Sequence, residues 1–263
     1  MTEKKEAQRQ RIDKRLDGIE REYGIRILYA VESGSRAWGF ASENSDYDVR
    51  FIYCRPVQEY FRLTPHRDVV ELPMEGDLDI SGWDLMKALS LFRKSNPPLL
   101  EWLYSPVVYR EREEVASQLR KWVPDSFSPR RLVYHYGNMA RNHYRQQVEP
   151  KERVILKKYL YIMRALLCIR WVEGRKMPPP TSVWETLAGV QLEEKVYRRF
   201  LDLIHTKQQE AELGEGPRDT ILDSFIRQEI DRLEERAAGL PDPRMNTERL
   251  DALIWDVLGI KGE

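Results

Sequence analysis

SGSRAWGFASENSDYD, residues 33–48, links two strand-like runs through a Gly-Ser pair and an Asp-x-Asp. It follows IRILYAVES (25–33), a short apolar, β-branched run that reads as a buried strand. It leads into YDVRFIY (47–53), which alternates as a strand does, Tyr47, Val49, Phe51 and Tyr53 on one face and Asp48, Arg50 and Ile52 on the other. Between the strands stand Gly34-Ser35, ten further residues, and then Asp46-x-Asp48. Gly34 allows a tight turn and a close approach of backbone to ligand. Ser35 offers a hydroxyl and an N–H where a short helix (Arg36 to Phe40) begins, a suitable place for phosphate oxygens. Asp46 and Asp48 are two apart and so project from one face. Carboxylates that close repel unless a cation neutralises them, and Mg²⁺, a hard ion that shares its shell with phosphate, is the expected partner.

A third carboxylate on an adjacent strand completes a two-metal site. DLDIS (77–81) reads as that strand, with Leu78 and Ile80 toward the core. Asp79 is the assigned residue and Asp77, on the same face, the alternative. A capping box at Ser81 to Asp84 predicts a helix starting near Ser81. Upstream, residues 5–23 form an amphipathic helix on Ile12, Leu16, Ile19 and Tyr23, stopped by Gly24. Downstream, the chain turns almost wholly helical, with helices predicted over 129–148, 152–173, 192–209, 217–238 and 246–258. The expected class is α+β: a small mixed sheet with helices over 1–110, then an all-helical domain over 111–263.

The chain has 263 residues, with 43 basic and 43 acidic side chains, so it lacks the basic excess of a protein that coats nucleic acid. A small substrate, or an RNA end gripped by a local patch, stays open. Cys54 and Cys168 lie far apart, outside any metal spacing, and favour a reducing cytoplasm over a disulfide framework. MTEKKEAQRQ has no signal-peptide core, and no uncharged apolar run approaches the roughly 20 residues of a membrane span. No membrane partner is expected.

Gly34-Ser35, the spacer, Asp46-x-Asp48 and Asp79 together resemble the signature of the DNA polymerase β-type nucleotidyltransferase superfamily. The stretches GSRAWGFASENSDYDVRFIY, DLDISGWDLMKAL and SNPPLLEWLYSP, with KKYLYIMRALLCIRW further on, are similar to one branch, the RNA-repair-pathway DNA polymerase β family. The resemblance implies a mixed-sheet nucleotidyltransferase core followed by a helical domain that closes the active-site cleft. It implies two Mg²⁺ ions, with Mn²⁺ as a substitute, on Asp46, Asp48 and Asp79, and an NTP substrate, ATP among the candidates. Gly34, Ser35 and Arg36 are the expected triphosphate contacts. Lys157, Lys158 or Arg164 are the basic residues the helical domain is expected to bring to it. The implied reaction moves an NMP to a hydroxyl acceptor with release of pyrophosphate. An RNA 3′ end, a protein and a small molecule are all open as acceptors, and the oligomeric state is undetermined. A nucleotide-binding regulatory or antitoxin-like module without turnover is the rival class.

For several residues a plainer role competes. Arg36 reads equally as a surface arginine. Trp38, Phe40 and Trp83 read as core aromatics, with base stacking as the alternative. Arg50 shares the Asp48 face, where it pairs with the aspartates or lines the site wall. Asn138, Arg141 and Arg145 form a stripe that is a solvated face or a cleft wall, and His135 and His143 read as structural.

Overall fold

The computed structural model describes residues 3–112, 114–209 and 213–260. The chain forms two compact units. The first comprises Met1–Gly34, Asp46–Ser126 and Met245–Glu263, and the second Ser35–Ser45 and Phe127–Arg244. The division is discontinuous in sequence, where the sequence alone suggests a single cut at residue 110.

The first unit opens with helix α1 (Glu3–Tyr23), ended by Gly24 at a φ of 59°. β1 (Arg26–Glu32) follows, then the short helix α2 (Gly34–Trp38), whose residues from Ser35 onward belong to the second unit. Next come β2 (Tyr47–Cys54), a 3-10 turn at Val57–Phe61, β3 (Val69–Glu71) and β4 (Leu78–Asp84). Helices α3 (Leu85–Arg93) and α4 (Pro97–Leu103), strand β5 (Val108–Glu111) and helix α5 (Val115–Ser126) complete its central part. The five strands form one mixed sheet in the order β3-β4-β2-β1-β5. β2 and β4 run parallel and the other pairs antiparallel.

One face of this sheet is apolar for the reason the alternation gives. Val49, Phe51, Tyr53, Leu78 and Ile80 are buried with Ile12, Leu16 and Ile19 of α1. In register with Phe51 stands Gly82, and a Cβ on Gly82 would strike the Phe51 ring. On the opposite face Trp83 stacks on Trp102 of α4, with ring centroids 3.9 Å apart, so Trp83 is a packing residue.

The helix expected from Ser81 begins later. Ser81, Gly82 and Trp83 continue β4 between β2 and β3, and strand pairing on both sides overrides the capping pattern. Asp84 is the true N-cap: its side chain accepts from the Met86 N–H at 2.9 Å and from the Tyr60 hydroxyl at 2.9 Å. Burial pushes its carboxyl above the ordinary value, against the opposing pull of these bonds. Asp84→Ala removes the cap and strands the Tyr60 hydroxyl, at an expected total of about 2 kcal/mol. Asp84→Asn keeps one acceptor, for the Met86 N–H, and turns a donor NH2 toward the Tyr60 oxygen, so it is expected to recover only about half of that. Thermal melts check this, and equal midpoints for wild type and Asp84→Ala would refute it.

The second unit is built on α6 (Pro129–Gln147), capped by Ser128 as the Ser-Pro pair predicts, packed against α7 (Lys157–Arg175). Between them β6 (Arg153–Ile155) pairs with β7 (Glu215–Pro217) in a two-stranded ribbon. The unit is therefore not all-helical. The helix expected from 152 starts at Lys157 because Val154, β-branched and buried, goes into that ribbon. α8 (Val183–Gly189), α9 (Glu194–Gln209), α10 (Thr220–Asp231) and α11 (Leu233–Ala238) complete it. The last helix, α12 (Thr247–Leu258), is part of the first unit, where the Val257 carbonyl accepts from Arg26 at 2.7 Å. Among the described residues no helix is long and apolar enough to cross a membrane.

Candidate active site

The antiparallel pairing of β1 and β2 sets Glu32 opposite Val49, and the Ser33 N–H donates to the Asp48 carbonyl at 2.8 Å. The end of β1 is thus fastened to the start of β2. Gly34 then turns the chain at a φ of 56°, and a Cβ built on it would overlap the Asp48 carboxylate. Two separate constraints, a left-handed backbone and a carboxylate lying against it, require glycine there.

The parallel pairing of β2 and β4 places Asp48 and Asp79 as direct register partners. Both belong to the face opposite the α1 core, since their neighbours Val49, Leu78 and Ile80 are buried beneath that helix. Arg50, two residues along the same strand, reaches back over the pair. Its Nη2 donates to Asp79 Oδ2 at 2.7 Å and to Asp48 Oδ1 at 3.3 Å. Its Nη1 donates to the carbonyls of Asp79 and Val49, each at 3.0 Å.

Asp77 does not share this arrangement. A tight turn through Gly76, closed by the bridge between Glu75 and Leu78, starts β4 at Leu78, so strand alternation does not extend back to residue 77. Asp77 pairs with Arg11 of α1 at 2.6 Å. Asp46 lies just before β2 and is exposed. Among the described residues no three Asp, Glu, His or Cys side chains converge as a metal-holding group. The structure thus brings Asp48 and Asp79 together as register partners, with Asp46 just before the start of β2.

Glu32 is an acid that the sequence reading passes over. It is buried, at 1% exposure, and its Oε1 accepts the Asp48 N–H at 2.8 Å. Its Oε2 accepts the Tyr109 hydroxyl of β5. A glutamate closing the apolar run 27–31, two residues before Gly34, was the available signal.

Ser35 and Arg36 pack with the second unit. Within it, the Ser35 carbonyl accepts from the Gly39 and Phe40 N–H groups at 3.1 Å. Arg36 donates to the Ser45 carbonyl at 2.6 Å and to that of Glu43 at 3.3 Å, bracing the 41–45 loop. The segment 35–45 is pinned to its unit from several sides. Trp184 Nε1 and Gln208 Nε2 donate to the Gly39 carbonyl, at 2.8 and 3.2 Å, and Lys207, 4% exposed, donates to Ser42 Oγ at 3.2 Å. Trp38 meets Tyr161 edge-on, and the Arg164 guanidinium lies 4.2 Å from the centre of the Trp38 ring. Arg164 is only 5% exposed and Phe40 is fully buried, so these are packing groups as they stand. Lys157 lies over the Tyr161 ring at 5.7 Å.

The donor chemistry of Asp46, Asp48 and Asp79 suits a hard divalent cation, since all are carboxylates and two are register partners. The side-chain positions add a second cation to the pair, because Arg50 holds one oxygen of Asp48 and one of Asp79.

Residues 8–256 match the RNA repair pathway DNA polymerase beta family. An uncharacterized protein, YcgL of Bacillus subtilis (strain 168), is 43% identical over 251 residues, covering 95% of this chain and 96% of that protein. The crystal structure of a nucleotidyltransferase-like protein from Exiguobacterium sibiricum 255-15 aligns over 94% of this chain and 79% of that one, at 12% identity and a TM-score of 0.31.

Proposed function

The chain belongs to the RNA repair pathway DNA polymerase beta family, and from that premise we propose that it is a metal-dependent nucleotidyltransferase that moves an NMP from an NTP to a hydroxyl acceptor. The observation that carries this reading is the in-register pair Asp48–Asp79, with the Gly34 backbone against Asp48.

In this proposal Asp46 and Asp48 hold both divalent ions and Asp79 holds one of them. Bound there, the ions supply a lowered pKa for the attacking hydroxyl and charge neutralisation for the departing pyrophosphate. The chain's own residues do the rest. Asp79 takes the hydroxyl proton as the new P–O bond to the acceptor forms and the bond between the α-phosphorus and the pyrophosphate oxygen breaks. Gly34 lets the backbone approach the triphosphate, and Ser35 and Arg36 are its proposed partners. Lys157 and Arg164 are proposed as further phosphate contacts. Of these Lys157 carries the role better, since Arg164 is buried against Trp38. The family's description favours an RNA end as acceptor, while equal numbers of acidic and basic residues confine any RNA grip to a local patch.

A nucleotide-binding module without turnover gains support from one observation. Arg50 offsets part of the repulsion between Asp48 and Asp79, so retention of both acids does not by itself demand a metal. Incubation with each α-labelled NTP, Mg²⁺ or Mn²⁺, and total RNA separates the readings. Transfer of label to an acceptor, with pyrophosphate release, is expected. Binding of NTP with no labelled product and no pyrophosphate under every condition rejects the enzyme.

A further inference from the structure

Arg50 makes four hydrogen bonds on the acid face of the sheet: two to carboxylates and two to carbonyls. The carbonyl bonds anchor its Nη1 to β2 and β4. The carboxylate bonds set its Nη2 between Asp48 and Asp79, with the side chain 19% exposed. The guanidinium is permanently charged and its planar fork suits two acceptors at once. It therefore offsets the repulsion of two register-partner acids without any other cation. Arg50 Nη2 takes one oxygen of each acid, Asp48 Oδ1 and Asp79 Oδ2, so a divalent ion ligated by the same two carboxylates would lie close beside the guanidinium, and two cations that close repel strongly.

We propose that Arg50 is a built-in competitor for the divalent cation. It holds the acid pair together when no ion is bound and gives up both carboxylates when one binds. The apparent metal affinity of the site is thus set low by the protein itself, so that occupancy follows the free concentration of the ion. This inference rests on the reading of Asp48 and Asp79 as metal ligands.

Calorimetric titration of the full chain with MnCl₂ tests it, on wild type, Arg50→Gln, Arg50→Lys and Asp48→Asn, together with thermal melts in EDTA and in saturating Mn²⁺. Arg50→Gln is expected to bind Mn²⁺ roughly tenfold tighter than wild type, the scale of losing a partly exposed ion pair to two acids. It is expected to melt lower than wild type in EDTA and to gain more on addition of Mn²⁺. Arg50→Lys, a single ammonium without the fork, falls between the two, and it carries the test if Arg50→Gln does not fold. Wild-type or weaker Mn²⁺ affinity in the Arg50 variants, with binding still abolished by Asp48→Asn, overturns the competition and leaves the metal site standing. Equal binding by wild type and Asp48→Asn instead removes the metal site, and the competition falls with it.

Discussion

Asp48→Asn is expected to abolish nucleotide transfer, on the order of a thousandfold or more, while the fold survives. Asparagine is isosteric but lacks the charge that a hard cation needs, and losing several kcal/mol of transition-state stabilisation corresponds to that factor. The main-chain bonds at this position, from the Ser33 N–H and to Glu32, involve the Asp48 backbone and persist in the variant. Circular dichroism and melting should therefore stay close to wild type, while label transfer from the NTP disappears. Asp79→Asn should behave alike. Asp77→Asn, which loosens an exposed contact with Arg11, should stay within a few-fold of wild type. Wild-type transfer by Asp48→Asn, or a loss in Asp77→Asn as deep as in Asp79→Asn, would show that the site has been assigned to the wrong acids.

Gly34→Ala carries the second large effect, and here stability and activity fall together. Alanine at a φ of 56° is strained by about 1–2 kcal/mol. Its Cβ would also push the Asp48 carboxylate aside. A displacement of about 1 Å at a reacting group can cost about 100-fold in rate. Gly24 provides the control: its φ is 59°, but a Cβ there meets nothing within 4 Å. Gly24→Ala should therefore show the backbone strain alone, a midpoint lowered by several degrees, with activity intact. If Gly34→Ala matched Gly24→Ala in both melting and transfer rate, the contact between Gly34 and Asp48 would have no functional weight.

The local elements were legible because they depend on near neighbours. Ile12, Leu16 and Ile19 at helical spacing announced α1, and the alternation of Tyr47 to Tyr53 announced β2. The Ser128-Pro129 pair announced α6. Where the reading failed, a partner distant in sequence decided. Ser81 to Trp83 carry a helix-start pattern but lie between two strands. Val154 sits in a run that reads as helix but pairs with Gly216. Trp83 stacks on a tryptophan 19 residues away, a fact of packing on α4 that no local pattern holds.

Local sequence carries the parts of the candidate site: a glycine at a strand end, an Asp-x-Asp opening the next strand, and a later strand bearing Asp79. These follow from strand period and turn chemistry, which act over a few residues. Only the tertiary structure decided how those parts meet. Parallel register between β2 and β4 made Asp79 the partner of Asp48, and an ion pair with α1 drew Asp77 elsewhere. It also put Glu32 beneath the Asp48 backbone and Arg50 across both acids. Strand register and the Arg11–Asp77 ion pair join residues dozens of positions apart, and their energies depend on distance in space, which the order of residues does not state.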